Sequence, residues 1–139
     1  MVILDTNVLS ETLRARPASE VRAWLDSQAK GELFTTAVTE AEMRYGVAVM
    51  PAGQRREALQ SALDWIFDEL LEERVLPFDA QAAKAYAMIV SSRRTAGNPI
   101  SQLDGQIAAI ARSRAARIAT HNTADFSDCG VLLVNPWDG

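Results

Sequence analysis

Five short apolar runs alternate with segments of helical periodicity along this chain. Such an alternation predicts a parallel sheet that is covered by helices on both faces. The predicted strands are residues 2–4, 33–35, 75–78, 117–120 and 131–134. The third strand contains Pro77, which cannot donate to a sheet ladder and therefore favours an edge position. We expect a three-layer α/β/α sandwich with a central parallel sheet of about four or five strands. The length of 139 residues fits a single domain over 1–139.

Helical periodicity covers most of the remaining chain. The predicted helices run from just after Asp5 to Leu13 and over 20–28, 39–50, 55–73, 80–95 and 101–115. Apolar residues at helical spacing indicate the buried faces of two of them. These residues are Leu59, Leu63, Ile66 and Leu70 in the fourth helix and Leu103, Ile107 and Ile110 in the sixth.

Composition argues against several classes of protein. No apolar run approaches the roughly 18 residues of a membrane span, and no basic segment precedes the first apolar run, so we expect neither a membrane protein nor a signal peptide. Cys129 is the only cysteine, which rules out an internal disulfide and a cysteine-based zinc site. A reducing cytoplasm is therefore the expected location.

The net charge of −4 argues against a uniformly basic surface for nucleic acids, although a local arginine patch could still hold phosphates. The candidates for such a patch are Arg93, Arg94, Arg112, Arg114 and Arg117. The favoured interpretation is that these arginines belong to solvated helix faces.

Three acidic residues stand where their side chains could meet. Asp5 directly follows the first strand, and Glu42 and Asp104 lie near the starts of later helices. In open α/β sheets, ligands bind outside the carboxyl ends of the strands. Three converging carboxylates repel one another unless a cation lies between them. Because Mg²⁺ and Mn²⁺ take oxygen ligands, this placement indicates a divalent metal site and hydrolysis of phosphate esters.

Each acid also has a purely structural interpretation, which is favoured when the acid is taken singly. Thr39 with Glu42 and Ser101 with Asp104 match the capping box, and Asp5 could cap the first helix. The two roles are compatible, since one carboxylate oxygen can bind the backbone while the other faces an ion.

The segment after the fourth strand carries several polar groups. Thr120 and Asn122 could hold a metal-bound water or a phosphate oxygen. Asp125 is either a fourth acid or part of a turn with Asn122, and the turn is slightly favoured. His121 is the only histidine, which excludes a histidine metal cluster and favours a surface or packing role.

Four ordered motifs resemble those of PIN-domain ribonucleases of the VapC type, the toxins of bacterial toxin–antitoxin pairs. They are LDTNVLS (4–10), TEAEMRYG (39–46), LDGQIAA (103–109) and THNTADF (120–126). The closing VNPW (134–137) is similar to the FitB-like branch. Together the motifs span essentially the whole chain.

The resemblance implies a metal-dependent endoribonuclease that hydrolyses phosphodiester bonds. Asp5 and Asp104 would hold Mg²⁺ or Mn²⁺, and Glu42 would complete the acidic cluster. Thr6, Asn7 and Thr120 would orient these ligands. Some members have Asp where this chain has Asn122, so Asp125 is the candidate substitute for a fourth acid.

The resemblance also implies partners. These are an RNA substrate, a second copy in a homodimer, and a cognate antitoxin that blocks the acidic groove, often with an arginine. Operator DNA would be bound only through the antitoxin. We expect the partner surface to include Tyr45, Val49, Trp65 and Phe67, and the alternative is that these side chains pack internally.

Three competing functions can be compared with this sequence, and the second and third lack residues that they require. The first is a PIN-fold binding module that assembles with the antitoxin on operator DNA but has lost nuclease activity. A phosphotransferase of the haloacid dehalogenase type would need a second Asp where Asn7 stands. A receiver domain would need an acidic pair after the first strand and a late Lys, and neither is evident.

Overall fold

Five parallel strands form one sheet in the order β3-β2-β1-β4-β5. The computed structural model describes residues 1–138, and Gly139, the last residue of the predicted domain, lies outside that range. The strands are β1 (Val2–Leu4), β2 (Leu33–Thr36), β3 (Val75–Leu76), β4 (Arg117–Ala119) and β5 (Leu133–Val134). The short β3 lies at an edge, as predicted from Pro77, although the strand ends at Leu76 and Pro77 follows it.

Helices connect the strands in the expected order. They are α1 (Thr6–Thr12), α2 (Ser19–Ser27), α3 (Ala37–Ala48), α4 (Gln54–Asp64), α5 (Ala80–Thr95) and α6 (Gln102–Ser113). A π-helix (Trp65–Leu70) continues α4, and a 3₁₀ segment (Thr123–Phe126) follows β4. No helix within residues 1–138 is long and apolar enough to span a membrane.

The central strand β1 is buried on both faces because its side chains alternate between two cores. Ile3 packs in a cluster with residues of α5 and α6, among them Ile89 and Ile107. Val2 and Leu4 pack on the opposite face in a cluster with residues of α1, α2 and α4. The sheet therefore lies between two helical layers, which confirms the predicted α/β/α sandwich.

The π-helix changes which residues of the 55–73 segment are buried. The Leu71 N–H donates to the Ile66 carbonyl at 2.9 Å, which adds one residue to that turn. Leu71 is consequently 1% exposed, whereas Leu70 is 38% exposed; Phe67, four residues after Leu63 on the same helix face, is 4% exposed. Two expectations are therefore wrong: Phe67 belongs to the core rather than to a partner surface, and Leu70 is replaced in the core by Leu71.

Two of the three predicted N-cap residues, Asp5 and Ser101, are confirmed. Ser101 Oγ accepts the Asp104 N–H at 3.2 Å, and Asp5 Oδ1 accepts the Thr6 N–H at 2.8 Å. The cap predicted at Thr39 is wrong, because α3 begins earlier and Thr36 is its N-cap. Thr36 Oγ1 accepts the Thr39 N–H at 3.1 Å, so Thr39 is already inside the helix.

The inward face of α6 begins after its first turn. Ile107 and Ile110 are buried as expected, but Leu103 is 42% exposed. The expectation that Leu103 faces the core is therefore wrong.

Three of the candidate phosphate-binding arginines lie at the end of the sheet away from Asp5. Arg117 begins β4 and pairs with Val2 at the start of β1. Arg112 and Arg114 lie at the C-terminal end of α6, and Arg114 forms a 3.7 Å ion pair with Asp79. All three arginines are exposed, in agreement with the favoured interpretation of solvated positions.

Candidate metal centre

An open groove of about 610 Å³ lies at the carboxyl end of the parallel strands. Asp5 follows β1 at this edge, and Thr120 follows the neighbouring β4. The Asp5 N–H donates to the Ala119 carbonyl at 3.0 Å, which joins the two strand ends. The groove is lined by Asp5, Thr6, Asn7, Ser10, Glu11, Arg14, Glu42, Asp104, His121, Asn122, Asp125 and Trp137.

Asp5 is fixed by hydrogen bonds to both of its carboxylate oxygens. Oδ1 accepts the Thr6 N–H at 2.8 Å, and Oδ2 accepts the Thr120 hydroxyl at 2.8 Å. Asn7 Nδ2 donates to Oδ2 at 3.3 Å and to Thr120 Oγ1 at 3.3 Å. Asp5 is only 6% exposed, so these three predicted orienting residues hold a buried carboxylate in one orientation.

The other two predicted acids approach the groove from helices. Glu42 is exposed on α3, and its Oε1 accepts the Thr6 hydroxyl at 2.7 Å. Asp104 is half-buried in the first turn of α6. The groove therefore brings together acids that are separated by most of the chain.

Burial raises the pKa of Asp5 above its ordinary value, and the charges of Asp104 and Glu42 raise it further. The hydrogen bonds from Thr120 and Thr6 oppose this rise. Burial likewise raises the pKa of Asp104, with contributions from the charges of Asp125 and Glu42. The protein thus holds carboxylates together at an energetic cost, and a bound cation would relieve it.

The two candidates for a fourth ligand both line the groove. Asn122 and Asp125 are exposed on the loop after β4. The Asp125 N–H donates to the Asn122 carbonyl at 3.0 Å, which is the predicted turn. The Asn122 N–H also donates to Thr120 Oγ1 at 3.1 Å, so the loop is joined to the network that holds Asp5.

Arg93 is buried and donates hydrogen bonds to the backbone of this loop, so it is not available to bind phosphate. It is 5% exposed and donates through Nε to the Asn98 carbonyl at 2.8 Å. Its Nη1 donates to the carbonyls of Asp125 at 2.9 Å and Ser127 at 3.1 Å. Both sequence interpretations of Arg93, as a phosphate ligand and as a solvated residue, are therefore wrong.

Ser10, Glu11 and Arg14 also line the groove and were not singled out from the sequence. Together with the predicted Asn7 they follow the i, i+3, i+4, i+7 spacing of a helix face, and this polar stripe was the signal that could have found them. His121 packs against Trp137 with ring centroids 4.3 Å apart, in agreement with its predicted packing role.

The donor set fits a hard divalent cation. Carboxylate, amide and hydroxyl oxygens line the groove, and these are the ligands that Mg²⁺ prefers. Within residues 1–138, no three Asp, Glu, His or Cys side chains converge closely enough to hold one ion in common. This spacing still suits Mg²⁺, which is usually bound by one or two carboxylates together with water and substrate phosphate.

Comparisons with known proteins agree with this geometry. A family model described as the PIN domain matches residues 2–131. VapC ribonuclease Y4jK of Sinorhizobium fredii is 42% identical over 138 residues, which cover 99% of each chain. Toxin FitB of Neisseria gonorrhoeae is 41% identical over 137 residues, again 99% of each chain. A chain in the structure of FitAB bound to an IR36 DNA fragment superposes with a TM-score of 0.92 at 41% identity, covering 99% of this chain and 96% of that one.

Proposed function

Because this chain belongs to the PIN-domain family of VapC- and FitB-type proteins, we propose that it is a metal-dependent endoribonuclease that acts as the toxin of a toxin–antitoxin pair. Its substrate is RNA, and the reaction is hydrolysis of a phosphodiester bond. The proposed location of this activity is the cytoplasm.

One observation carries the proposal: Asp5, Glu42, Asp104 and Asp125 face a single open groove at the carboxyl edge of the sheet. Helix capping alone explains Asp5 but does not explain why the acids share one groove. Burial, and to a lesser extent the neighbouring acids, raise the pKa values of Asp5 and Asp104, and a bound cation would stabilise their charged forms.

The proposed mechanism assigns the residues as follows. Asp5 and Asp104 would hold Mg²⁺ or Mn²⁺, and Glu42 would complete the acidic site with Asn122 or Asp125. The bound ion supplies Lewis-acid chemistry, which lowers the pKa of water and offsets negative charge on the phosphoryl oxygens.

The protein's own contribution to this mechanism is orientation. Thr120 and Asn7 hydrogen-bond Asp5 Oδ2, and the Thr6 hydroxyl donates to Glu42, so the orientations of these two carboxylates are set by neighbouring side chains before a cation and substrate bind.

The test is cleavage of a labelled mixed RNA pool by the purified protein with Mg²⁺, with Mn²⁺ and with EDTA. We expect cleavage that needs the metal and is lost in Asp5→Ala. Asp68→Ala removes an exposed acid that does not line the groove and serves as the matched control. Full activity of Asp5→Ala, or cleavage that persists in EDTA, would overturn the proposal.

An antitoxin is the proposed regulatory partner, as in the FitAB assembly named above. A separate apolar cavity of about 360 Å³ lies between α1, α2 and the π-helix and is lined in part by Leu13, Leu25, Trp65 and Leu70. We assign this surface to the antitoxin and expect Trp65→Glu to abolish co-purification with it while RNA cleavage persists. DNA would be contacted through the antitoxin.

The proposed homodimer uses a different face. Tyr45 and Val49 on and after α3 are 71% and 62% exposed, as expected for a partner surface. Tyr45→Glu should therefore shift the purified protein from dimer to monomer in analytical ultracentrifugation.

A second candidate, a PIN-fold binding module without nuclease activity, is favoured by Asn122, which is uncharged, and by the absence of a three-acid cluster within residues 1–138. It predicts antitoxin binding and a Mg²⁺-dependent rise in melting temperature without RNA cleavage. The cleavage assay therefore separates the two functions.

A further inference from the structure

A second groove continues from the acidic one and has the opposite charge. It has a volume of about 760 Å³ and shares Ser10 and Arg14 with the acidic groove. The lining residues are Ser10, Leu13, Arg14, Ala15, Arg16, Arg55, Ala58 and Leu59. Three of these eight residues are arginines and none is an acid, although the whole chain carries a net charge of −4.

Most of the charge in this second groove is available to a ligand. Arg16 and Arg55 are exposed and form no ion pair with any group in the described part of the chain. Arg14 is 70% exposed and forms only a long 3.4 Å pair with Glu11. Glu11 itself is buried, and its other oxygen accepts the Ala18 N–H at 2.9 Å. Glu11 therefore anchors the loop that carries Arg14 and Arg16 without neutralising the groove.

The position of the groove indicates its ligand. Ser10 lies five residues after Asp5 along α1, or about 7.5 Å along the helix axis. A polymer whose scissile phosphate lies beside Asp5 must continue past the edge of the acidic groove. A chain of phosphates that continues along α1 meets three guanidinium groups, and guanidinium binds phosphate oxygens in bidentate fashion.

We propose that Arg14, Arg16 and Arg55 bind backbone phosphates of single-stranded RNA to one side of the scissile bond. This inference rests on the proposed ribonuclease function and adds the path of its RNA substrate. We call the surface formed by Arg14, Arg16 and Arg55 the phosphate track. The arginines contact phosphate rather than bases, so they contribute affinity without sequence preference. The arginines predicted from the sequence as phosphate ligands lie elsewhere: Arg112, Arg114 and Arg117 are at the opposite end of the sheet.

The test compares Arg16→Ala/Arg55→Ala with Arg114→Ala/Arg117→Ala, a control that removes two exposed arginines far from the groove. Binding of a fluorescent RNA oligonucleotide is measured by anisotropy in EDTA over a range of salt concentrations. Loss of two phosphate contacts should reduce the magnitude of the negative slope of log K against log salt by about 1.4. With equal binding at about 1 M salt, this change makes binding about 25-fold weaker at about 0.1 M salt. The control double variant should bind like wild type, and both variants should keep the wild-type melting temperature.

Cleavage kinetics in Mg²⁺ provide the second readout. Arg16→Ala/Arg55→Ala should raise KM and leave kcat near wild type, because the arginines hold RNA away from the reacting phosphate. Arg16→Lys/Arg55→Lys keeps the charge and should recover most of the salt slope.

The two proposals fail in different ways. Loss of RNA binding in the groove variant of a protein that never cleaves would uphold the phosphate track and refute the nuclease. Metal-dependent cleavage with the same Kd, salt slope and KM in both double variants would refute the phosphate track. It would favour an acidic protein segment, rather than RNA, as the ligand of this groove. Wild-type protein that binds no RNA in EDTA would also overturn the track.

Discussion

Replacing Arg93 with alanine should destabilise the protein more than any change at a neighbouring arginine. The guanidinium of Arg93 is 5% exposed and joins the C-terminal part of α5 to two segments, through the carbonyls of Asn98, Asp125 and Ser127. Its removal leaves three carbonyls without their charged donor. The loop that carries Asp125 into the acidic groove also loses its support.

The magnitude follows from the count of hydrogen bonds. A hydrogen bond to a charged group contributes about 1.5–3 kcal/mol, so three carbonyls at the lower bound give about 4.5 kcal/mol. Water can reach the exposed Asn98 and Asp125, and the desolvation cost of the guanidinium disappears with it, so we expect a loss of about 3–4 kcal/mol. With a melting entropy of about 0.29 kcal/mol/K for a chain of this length, the midpoint should fall by about 10–14 °C.

Thermal unfolding followed by far-UV circular dichroism measures this loss. Arg94→Ala is the matched control, because Arg94 is exposed on the same helix and its loss should cost less than about 0.5 kcal/mol. Arg93→Lys keeps the charge but lacks the branched guanidinium group that reaches both segments. Its melting temperature should lie between those of Arg93→Ala and Arg94→Ala. A midpoint for Arg93→Ala within about 3 °C of the Arg94→Ala midpoint would refute the reasoning.

Three further predictions concern the acids and the π-helix. The pKa values of Asp5 and Asp104 are raised in the folded protein, so above the ordinary carboxyl range the folded protein binds more protons than the unfolded chain. In EDTA, these two groups therefore make the free energy of unfolding fall as pH rises through the raised pKa values. Denaturant titrations at several pH values should show a smaller decline for Asp104→Asn than for wild type, and equal declines would contradict the stated pKa direction. Without metal at neutral pH, Asp104→Asn should also unfold at a higher denaturant concentration than wild type. Mg²⁺ should no longer raise the melting temperature of this variant, and an undiminished Mg²⁺ effect would show that Asp104 does not bind the metal. Phe67→Ala should cost about 3–5 kcal/mol and Trp65→Ala much less, because Phe67 is 4% exposed and Trp65 is 56% exposed; equal losses would contradict this difference in burial.

Sequence periodicity was sufficient for the layers and the order of strands and helices because each element buries one regular face. It failed where the backbone leaves the regular helix. The spacing of Leu59, Leu63, Ile66 and Leu70 fits an α-helix, and nothing in those residues indicates that a π-turn substitutes Leu71 for Leu70 in the core. Thr36 and Thr39 are both acceptable caps, and only the end of β2 at Thr36 decides between them.

The candidate site was predictable to the extent that its residues stand at strand ends and helix starts. Asp5 and Asp104 do so, and their convergence follows from parallel strands that end at one edge. Arg93 could not be assigned, because its partners are backbone carbonyls that leave no trace in the side-chain sequence. The second groove was missed because Arg55 reaches Arg14 and Arg16 only through tertiary packing.

The central position of β1 has a consequence for the order of events during synthesis. Asp5 is made first, but the hydroxyl that fixes its carboxylate belongs to Thr120, which is separated from it by 115 positions. The second neighbour of β1 is β4, so the strand stays open on one side until residues 117–119 have been made. A growing chain therefore lacks the assembled acidic groove while the ribosome is still reading its messenger RNA. The proposed nuclease thus becomes competent to cut RNA only after the ribosome has passed the codon for Thr120 on the message that encodes it.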